Sequence, residues 1–396
     1  MIETSLKLTD VGLIPVDWQC MPISSLSEII TGGTPSTGVA AYWGGNIRWM
    51  NSGELNLKFI TEVEGRITNA GLENSSTHLI PKYCVLIGLA GQGKTRGTAA
   101  YNLITLCTNQ SIAAILPNDS FCPLYLYYFI DSLYLLLRSL SAGDGGRGGL
   151  NKKIIGNLKV AIPNSLEEQR AIAEALSDID KLISALDKKI EKQKMIKQGV
   201  MQELLTGKRR LDGFSEPWVG KRLGDILQYE QPTKYIVSST EYQSNGIPVL
   251  TAGKTPVLGY TNETDGVYRN LPVIIFDDFV TCSKYITFPF KVKSSAMKML
   301  TLRTAEYNLK MVYELMQMVD FPLTDHKRYW IGEYSNIVIQ IPSSKVEQDT
   351  IASILDDYDK EIQALVSKRE KFLCTKQGMM QQLLTGKIRL IDSLTI

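Results

Sequence analysis

"EEQRAIAEALSDIDKLISALDKKIEKQKMIKQGVMQELLTGKRRL" (Glu167–Leu211) decides the fold, because the chain carries it twice. Extended back to Ile162, it aligns without a gap with Ile341–Leu390, "IPSSKVEQDTIASILDDYDKEIQALVSKREKFLCTKQGMMQQLLTGKIRL". Roughly 29 of the 50 aligned positions are identical. Each copy reads as one long helix. Ser165-Leu-Glu-Glu168 and Ser344-Lys-Val-Glu347 are S-x-x-E capping boxes, each just after a proline. Gly207 and Gly386 follow the last apolar pair, where a helix C-cap belongs. Between these limits lie about 40 residues, or roughly 60 Å at about 1.5 Å per residue. That is well above the ~11–12 residues of an ordinary core helix.

Apolar residues in the first copy fall at Ile172, Leu176, Ile179, Ile183, Leu186 and Ile190. The second copy has Ile351, Leu355, Tyr358, Ile362 and Leu365. Steps of four and three make a heptad seam, and two seams in one chain most simply pack on each other. The seam falters near Gln193 and Arg369, where packing against another protein is expected.

The repeats bracket two segments, Met21–Pro163 and Gly213–Pro342, that share landmarks but little sequence. Each begins near a tryptophan (Trp18, Trp218) and a short amphipathic stretch. Each has a proline before an apolar strand: Pro81 before "VLIG", Pro272 before "VIIFDD". An apolar helix follows ("PLYLYYFIDSLYLLLRSL"; "AEYNLKMVYELMQMV"), then a polar or basic loop ("GDGGRGGLNKK"; "DHKRYW"). Each closes on a strand ending in Ile-Pro. The reading is a mixed α/β (α+β) chain with two divergent units and two long antiparallel, coiled-coil-like helices. Its boundaries are 1–163, 164–212, 213–342 and 343–396. Because "GLIPVDW" near the start resembles "GFSEPW" after the first helix, the last helix leads in a circular sense back to the beginning. Pseudo-twofold symmetry follows.

Bulk composition narrows the function. Hydrophobic residues make up 44% and charged residues 21%, as in a soluble globular protein, and the formal net charge is only +2. Any basic surface is therefore local. Acidic residues crowd the helices ("EEQ", "SDIDK", "LDDYDKE"), which leaves the divergent units relatively more basic. Six scattered cysteines without a C-x-x-C pair fit a reducing cytoplasm and neither a zinc site nor a disulfide framework. Two distant histidines, His78 and His326, supply a metal site or triad poorly. The start "MIETSLKLTD" shows no signal peptide. The most apolar stretch, Pro123–Leu137, is about half a membrane span and reads as a buried tyrosine-rich helix. A cytoplasmic protein with no membrane partner is expected.

"VLIGLAGQGKTRG" (Val85–Gly97) matches the ATP-binding P-loop at Gly88, Gly93, Lys94 and Thr95, and "VIIFDD" (Val273–Asp278) resembles a Walker-B strand. A P-loop opens a helix. Here "RGTAAYNLITLCTNQSIAAIL" reads as strands instead, and "VIIFDD" occupies the other unit at the landmark of "VLIG". The stretch is therefore read as a strand entering a glycine-rich basic loop. No Pro-Pro dipeptide occurs, so the base-holding turn of an adenine methyltransferase is missing, and no segment is left over for a nuclease. A P-loop nucleotide-binding protein and a coiled-coil adaptor that reads two proteins remain the alternatives.

"EEQRAIAEALSDID", "QGVMQELLTGKRRLDGFSEPW" and "TGGTPSTGVAAYWGGNIRWMNSGEL" resemble the specificity subunit of type I restriction-modification enzymes, over Leu13 to Leu390. The resemblance implies two target-recognition domains, each reading one half of a bipartite double-stranded DNA site. It implies helices that act as a ruler and dock two modification (methyltransferase) subunits. It implies no catalysis and no cofactor for this chain: S-adenosylmethionine belongs to the modification subunits, ATP to the restriction (ATPase/nuclease) subunits.

DNA readout needs donors and acceptors on loops, plus cations for phosphates. The first unit offers Thr34, Ser36, Arg48, Lys94, Thr95, Arg96, Arg147, Lys152 and Lys153. The second departs from the T-G-G-T-P-S pattern and offers Lys254, Tyr260, Lys284, Tyr285, Lys298, His326, Lys327, Arg328 and Tyr329. A single surface cation is as readily a merely solvated charge as a contact. The clusters "GQGKTRG", "GGRGGLNKK" and "DHKRYW" carry the expectation.

Overall fold

Two helices of 39 residues, Leu166–Leu204 and Lys345–Leu383, are built by the repeats. A computed structural model describes residues 5–91, 93–141, 149–251, 257–323 and 328–390. At each helix start the serine cap forms: Ser165 Oγ accepts from the Glu168 amide and Ser344 Oγ from the Glu347 amide, both at 3.4 Å. At each end Gly207 and Gly386 turn left-handed, with φ of +69° and +67°.

The second half of the expected capping box has another use. Glu168 and Glu347 are both buried. The Glu347 carboxylate takes Arg210 Nε and Nη2, each at 2.8 Å. Glu168 is held the same way by Arg389, which also reaches Asp17 at 2.8 and 3.1 Å. In the aligned repeats Arg210 and Arg389 are equivalent, as are Glu168 and Glu347. The start of one repeat is thus locked to the end of the other. A guanidinium wins the carboxylate because a charged, bidentate bond is stronger than one to a backbone amide.

The chain divides into two compact units, Met1–Leu186 with Lys368–Ile396, and Asp187–Ser367. Each contains one front half and one back half of the repeats, running antiparallel. Lys376 donates to both oxygens of Asp180 in the first unit, at 2.7 and 2.9 Å. The equivalent Lys197 donates to Asp359 in the second, at 2.7 Å.

The two units repeat one strand order. In the first, the main sheet runs Ile29–Thr31, Ile112–Ile115, Val85–Gly88, Ala99–Asn102, Phe59–Ile60. In the second it runs Leu227–Glu230, Met297–Leu302, Val273–Asp277, Ser283–Ile286. The central strands Val85–Gly88 and Val273–Asp277 are buried throughout, which is why they read as unbroken apolar runs. A three-stranded sheet accompanies each, centred on Trp43–Met50 and Ile247–Leu250. The tryptophan strands Trp18–Pro22 and Trp218–Arg222 pair antiparallel with the closing Ile-Pro strands.

A glutamine of each repeat fixes the apolar helix of its unit. Gln169 accepts the Cys122 amide at 2.7 Å and donates to the Pro163 carbonyl at 2.8 Å. Gln348 does the same for the Asn308 amide and the Pro342 carbonyl, both at 2.8 Å. The helices so placed are Pro123–Ser132 and Leu309–Gln317. The tyrosine-rich stretch is not one helix: it breaks at Leu133 and resumes as Tyr134–Leu140, exposing Leu135, Leu136 and Leu140. No helix among the described residues is long and apolar enough to cross a membrane.

The front of each seam is unit core. Ile172 and Leu176 pack with Tyr125, Tyr128, Leu383 and Leu384. Ile351 and Leu355 pack with Met311, Leu315, Leu204 and Leu205. Ile179, Ile183 and Ile190 are also buried. Leu186, Tyr358, Ile362 and Leu365 are half-buried. Where the seam falters, Gln193 donates to Glu361.

The polar contacts behind the helices differ. In the second unit Lys197 and Lys310 share Glu314 and Asp359. In the first, Tyr128 donates to Asp180 at 2.8 Å. Burial works to raise the Asp359 carboxyl, but the hydrogen bonds from Lys197 and Lys310 outweigh it and hold it below its ordinary 3.8.

Two predictions follow from these ion pairs. Arg210→Ala strands the buried Glu347 carboxylate and is expected to cost about 3–5 kcal/mol in denaturant unfolding. Adding Glu347→Leu is expected to recover part of the loss. For Asp359, whose folded value lies below the unfolded one, the stabilisation is present above pH 3.8 and lost as pH falls through the folded value. The stability gap between wild type and Asp359→Asn is therefore widest above that pH and closes in acid.

Candidate nucleic-acid interface

The glycine-rich segment after Val85–Gly88 is the loop of a β-hairpin. The chain returns as the antiparallel strand Ala99–Asn102, closed by bonds between Gly88 and Gly97 (2.9 Å) and Gly88 and Thr98 (3.0 Å). No helix follows Thr95, so the phosphate cradle of a P-loop is not formed. Gly91, Gly93 and Gly97 adopt φ of +119°, +69° and +80°, which side-chain-bearing residues resist. The loop rests on the Tyr134–Leu140 helix. Tyr134 Oη donates to the Lys94 carbonyl at 3.3 Å and Arg138 Nη1 to the Gly93 carbonyl. Lys94 is exposed, while Thr95 and Arg96 are half-buried.

Two further segments meet this loop. The Leu150 amide donates to the Leu89 carbonyl at 3.0 Å. Asn151 then caps a short helix, accepting the Ile154 amide at 2.9 Å, and leaves Lys152 and Lys153 exposed on its first turn. The Leu89 amide donates to Ser111 (2.8 Å), and the neighbouring Thr108 and Ile112 carbonyls accept from Gly33 (2.9 Å) and Gly32 (3.3 Å). The T-G-G-T-P-S loop is therefore at the same sheet end. Its glycines are required by close approach: a Cβ would lie 2.0 Å from the Thr108 carbonyl at Gly32 and 2.3 Å from Ser76 at Gly33. Two indoles hold it, Trp49 donating to Gly33 (2.9 Å) and Trp43 to Ser36 (3.1 Å). Thr34 and Ser36 are exposed, and Thr34 donates to Gln110 at 2.5 Å.

Arg48 is an ion-pair partner rather than an open cation: its Nε lies 3.2 Å from Glu62. That hydrogen bond, with one from the Val63 amide, brings the Glu62 carboxyl down to about 2.

The second unit repeats the tie with other chemistry. The Tyr329 amide donates to the Asp278 carbonyl (3.0 Å) and the Trp330 amide to Asp278 Oδ1 (2.9 Å). Asp278 Oδ2 lies 3.2 Å from Lys298 Nζ, with both side chains 1% exposed. Asp277 Oδ1 caps the following turn through the Phe279 and Val280 amides. The acids of "VIIFDD" are therefore structural. Two expected contact residues are corrected. Lys298 is consumed by the buried pair, and Tyr329 is fully buried beside Phe321. Tyr285 is half-buried, its ring 5.6 Å from that of Tyr313 on the apolar helix. Lys284 and Tyr260 are half-buried on strands, and Arg328 is exposed, 6.0 Å from the Phe279 ring. Arg147, Lys254, His326 and Lys327 lie outside the described residues.

The sequence reading missed the residues that hold these loops: Trp43, Trp49, Gln110, Tyr134 and Arg138. Arg138 had a signal, being the one cation in Pro123–Leu140. No group of three or more His, Cys, Asp or Glu able to hold a metal occurs among the described residues.

The family model of the type I restriction modification DNA specificity domain matches residues 15–194 and 215–371. The chain belongs to this family. The chain is 42% identical over 213 residues to the EcoR124I/EcoR124II specificity subunit of Escherichia coli. That match covers 48% of this chain and 52% of the subunit, so it spans about half the length of this relative. It is 28% identical over 353 residues to the MjaIX specificity subunit of Methanocaldococcus jannaschii, covering 83% of this chain and 78% of that one. Among solved structures, the S subunit of the type I restriction-modification system from M. genitalium shares the fold. Its TM-score is 0.63 at 16% identity, covering 96% of this chain and 99% of that one.

Within this family frame Asp278 is an anchor of the second unit. Asp278→Ala leaves Lys298 buried without its counter-charge and is expected to cost about 3–5 kcal/mol in chemical denaturation. An unchanged midpoint would count against this role.

Proposed function

We propose that this chain is the non-catalytic, sequence-reading subunit of a type I restriction-modification complex, with each unit reading one half of a bipartite duplex DNA site. The observation that carries the reading is the convergence, at one sheet end of the first unit, of the Thr34–Ser36 loop, the Lys94 loop and Lys152–Lys153. Exposed cations beside exposed hydroxyls suit phosphate and base contacts. The same strand order with different loops in the second unit supports two readers of different sequences.

In this proposal the long helices set the gap between half-sites and dock two modification subunits. S-adenosylmethionine is bound by those subunits and ATP by restriction subunits, and this chain holds no cofactor. The chain works in the cytoplasm, where its free cysteines stay reduced. Alone it binds DNA weakly, and its partners tighten the complex.

Methylome sequencing of a host with and without this chain tests the reading: a bipartite methylated motif is expected only with it. Lys94→Ala is expected to weaken or alter one half-site and spare the other. Removing four residues, about one turn, between Lys188 and Gln198 is expected to change the permitted gap. An unchanged gap in the methylation pattern refutes the ruler.

A further inference from the structure

We propose that Arg138 and Tyr134 are positioning residues for DNA recognition by the first unit, acting through the backbone of Gly93–Thr98 to set where Lys94 meets a phosphate. The inference rests on the DNA-reading function above and adds the device that shapes one of its contacts.

Three contacts within one helical turn join the Tyr134–Leu140 helix to the loop. Tyr134 Oη bonds the Lys94 carbonyl and Arg138 the Gly93 carbonyl. Between them Leu137 lies under Gly97, where an added Cβ would come within 3.1 Å of the leucine Cβ. The loop is also tightened from within, as Thr98 Oγ1 donates to the Lys94 carbonyl at 2.6 Å. So the Lys94 carbonyl takes two side-chain donors while its ammonium end stays exposed.

A loop with several glycines has the largest conformational freedom to lose on binding. Fixing its backbone in the free protein removes that cost from the binding step. Neither Tyr134 nor Arg138 needs to touch DNA for this. Each bonds a loop carbonyl, which gives it a route to recognition through the loop. The leucines exposed on the same helix show that its placement is not explained by burial alone. Leu135 is 79% exposed, and the helix side that is used is the one carrying Tyr134, Leu137 and Arg138.

The test is a double-mutant cycle on the full chain in complex with its modification subunits. Binding is measured on duplexes carrying the methylated motif, with each half-site scrambled in turn. Lys94→Ala and Arg138→Ala are each expected to weaken binding to the first half-site about tenfold, and the pair together also about tenfold, because one acts through the other. Tyr134→Phe, which removes only the hydroxyl, is expected to weaken it less and to show the same coupling to Lys94→Ala. Arg138→Lys, which keeps a donor, is expected to recover part of the affinity. Discrimination at the second half-site stays at the wild-type level. A roughly hundredfold, additive loss in the double variant means that Arg138 contacts DNA independently and overturns the proposal. So does wild-type binding by both Arg138→Ala and Tyr134→Phe. A wild-type complex that binds no duplex would instead bring down the DNA-reading function, and the positioning role with it.

Discussion

The buried arginine–glutamate pair that joins opposite ends of the two repeats is the constraint on which the rest depends. Glu168 and Glu347 are enclosed, and an enclosed carboxylate is tolerable only with a charged, well-aligned partner. In both units that partner comes from the other repeat. A unit therefore cannot close on its own contiguous stretch of chain. The first unit needs the end of the sequence, and the second needs the end of the first repeat. Apolar packing follows the same rule. Leu383 and Leu384 complete the core around Ile172 and Leu176, while Leu204 and Leu205 complete the core around Ile351 and Leu355.

This closure gives a physical reason for the repeats to stay alike while the segments between them diverge. Each repeat carries the serine cap, the glutamate for the distant arginine, and the glutamine that fixes an apolar helix. Those bonds are made to backbone or to the other repeat, so they make few demands on the intervening sequence. The strand order is kept with different side chains, and the loops at the sheet ends are free to vary. The polar groups behind the helices differ accordingly: Tyr128 joins Lys376 on Asp180 in one unit, and Lys310 joins Lys197 on Asp359 in the other.

Much of this frame was legible because it rests on local rules. A serine cap, an apolar step of four and three, and a closing glycine placed both helix ends within a few residues. What the rules could not show was competition. Glu168 and Glu347 fit a capping box, yet a guanidinium distant in sequence takes the carboxylate. Lys298 and Tyr329 looked like contact residues because cations and aromatics near polar loops often are. Lys298 did carry a warning in its neighbours, since Met297, Met299 and Leu300 mark a buried strand. A lysine inside such a strand needs an acid, and Asp278 is that acid. The break at Leu133 had no such signal, because the leucines that follow it read as more of the same buried helix.

The phosphate-loop motif shows how far a short pattern carries. Glycines and a lysine at that spacing specify a backbone free to turn sharply with a cation at its tip. They do not specify what comes next. A nucleotide site needs a helix whose first amides face the phosphates. Here the residues after Thr95 pair with Val85–Gly88 as a strand, so the amides are spent on the sheet. The same glycines serve a hairpin tip, whose Lys94 and Gly93 carbonyls take bonds from Tyr134 and Arg138 on a helix that the motif does not include. The proposed contact with a polyanion therefore keeps the motif's chemistry, a cation on a glycine-rich loop. The backbone's partners are different: side chains bond the loop's carbonyls, in place of a helix end whose amides face a phosphate.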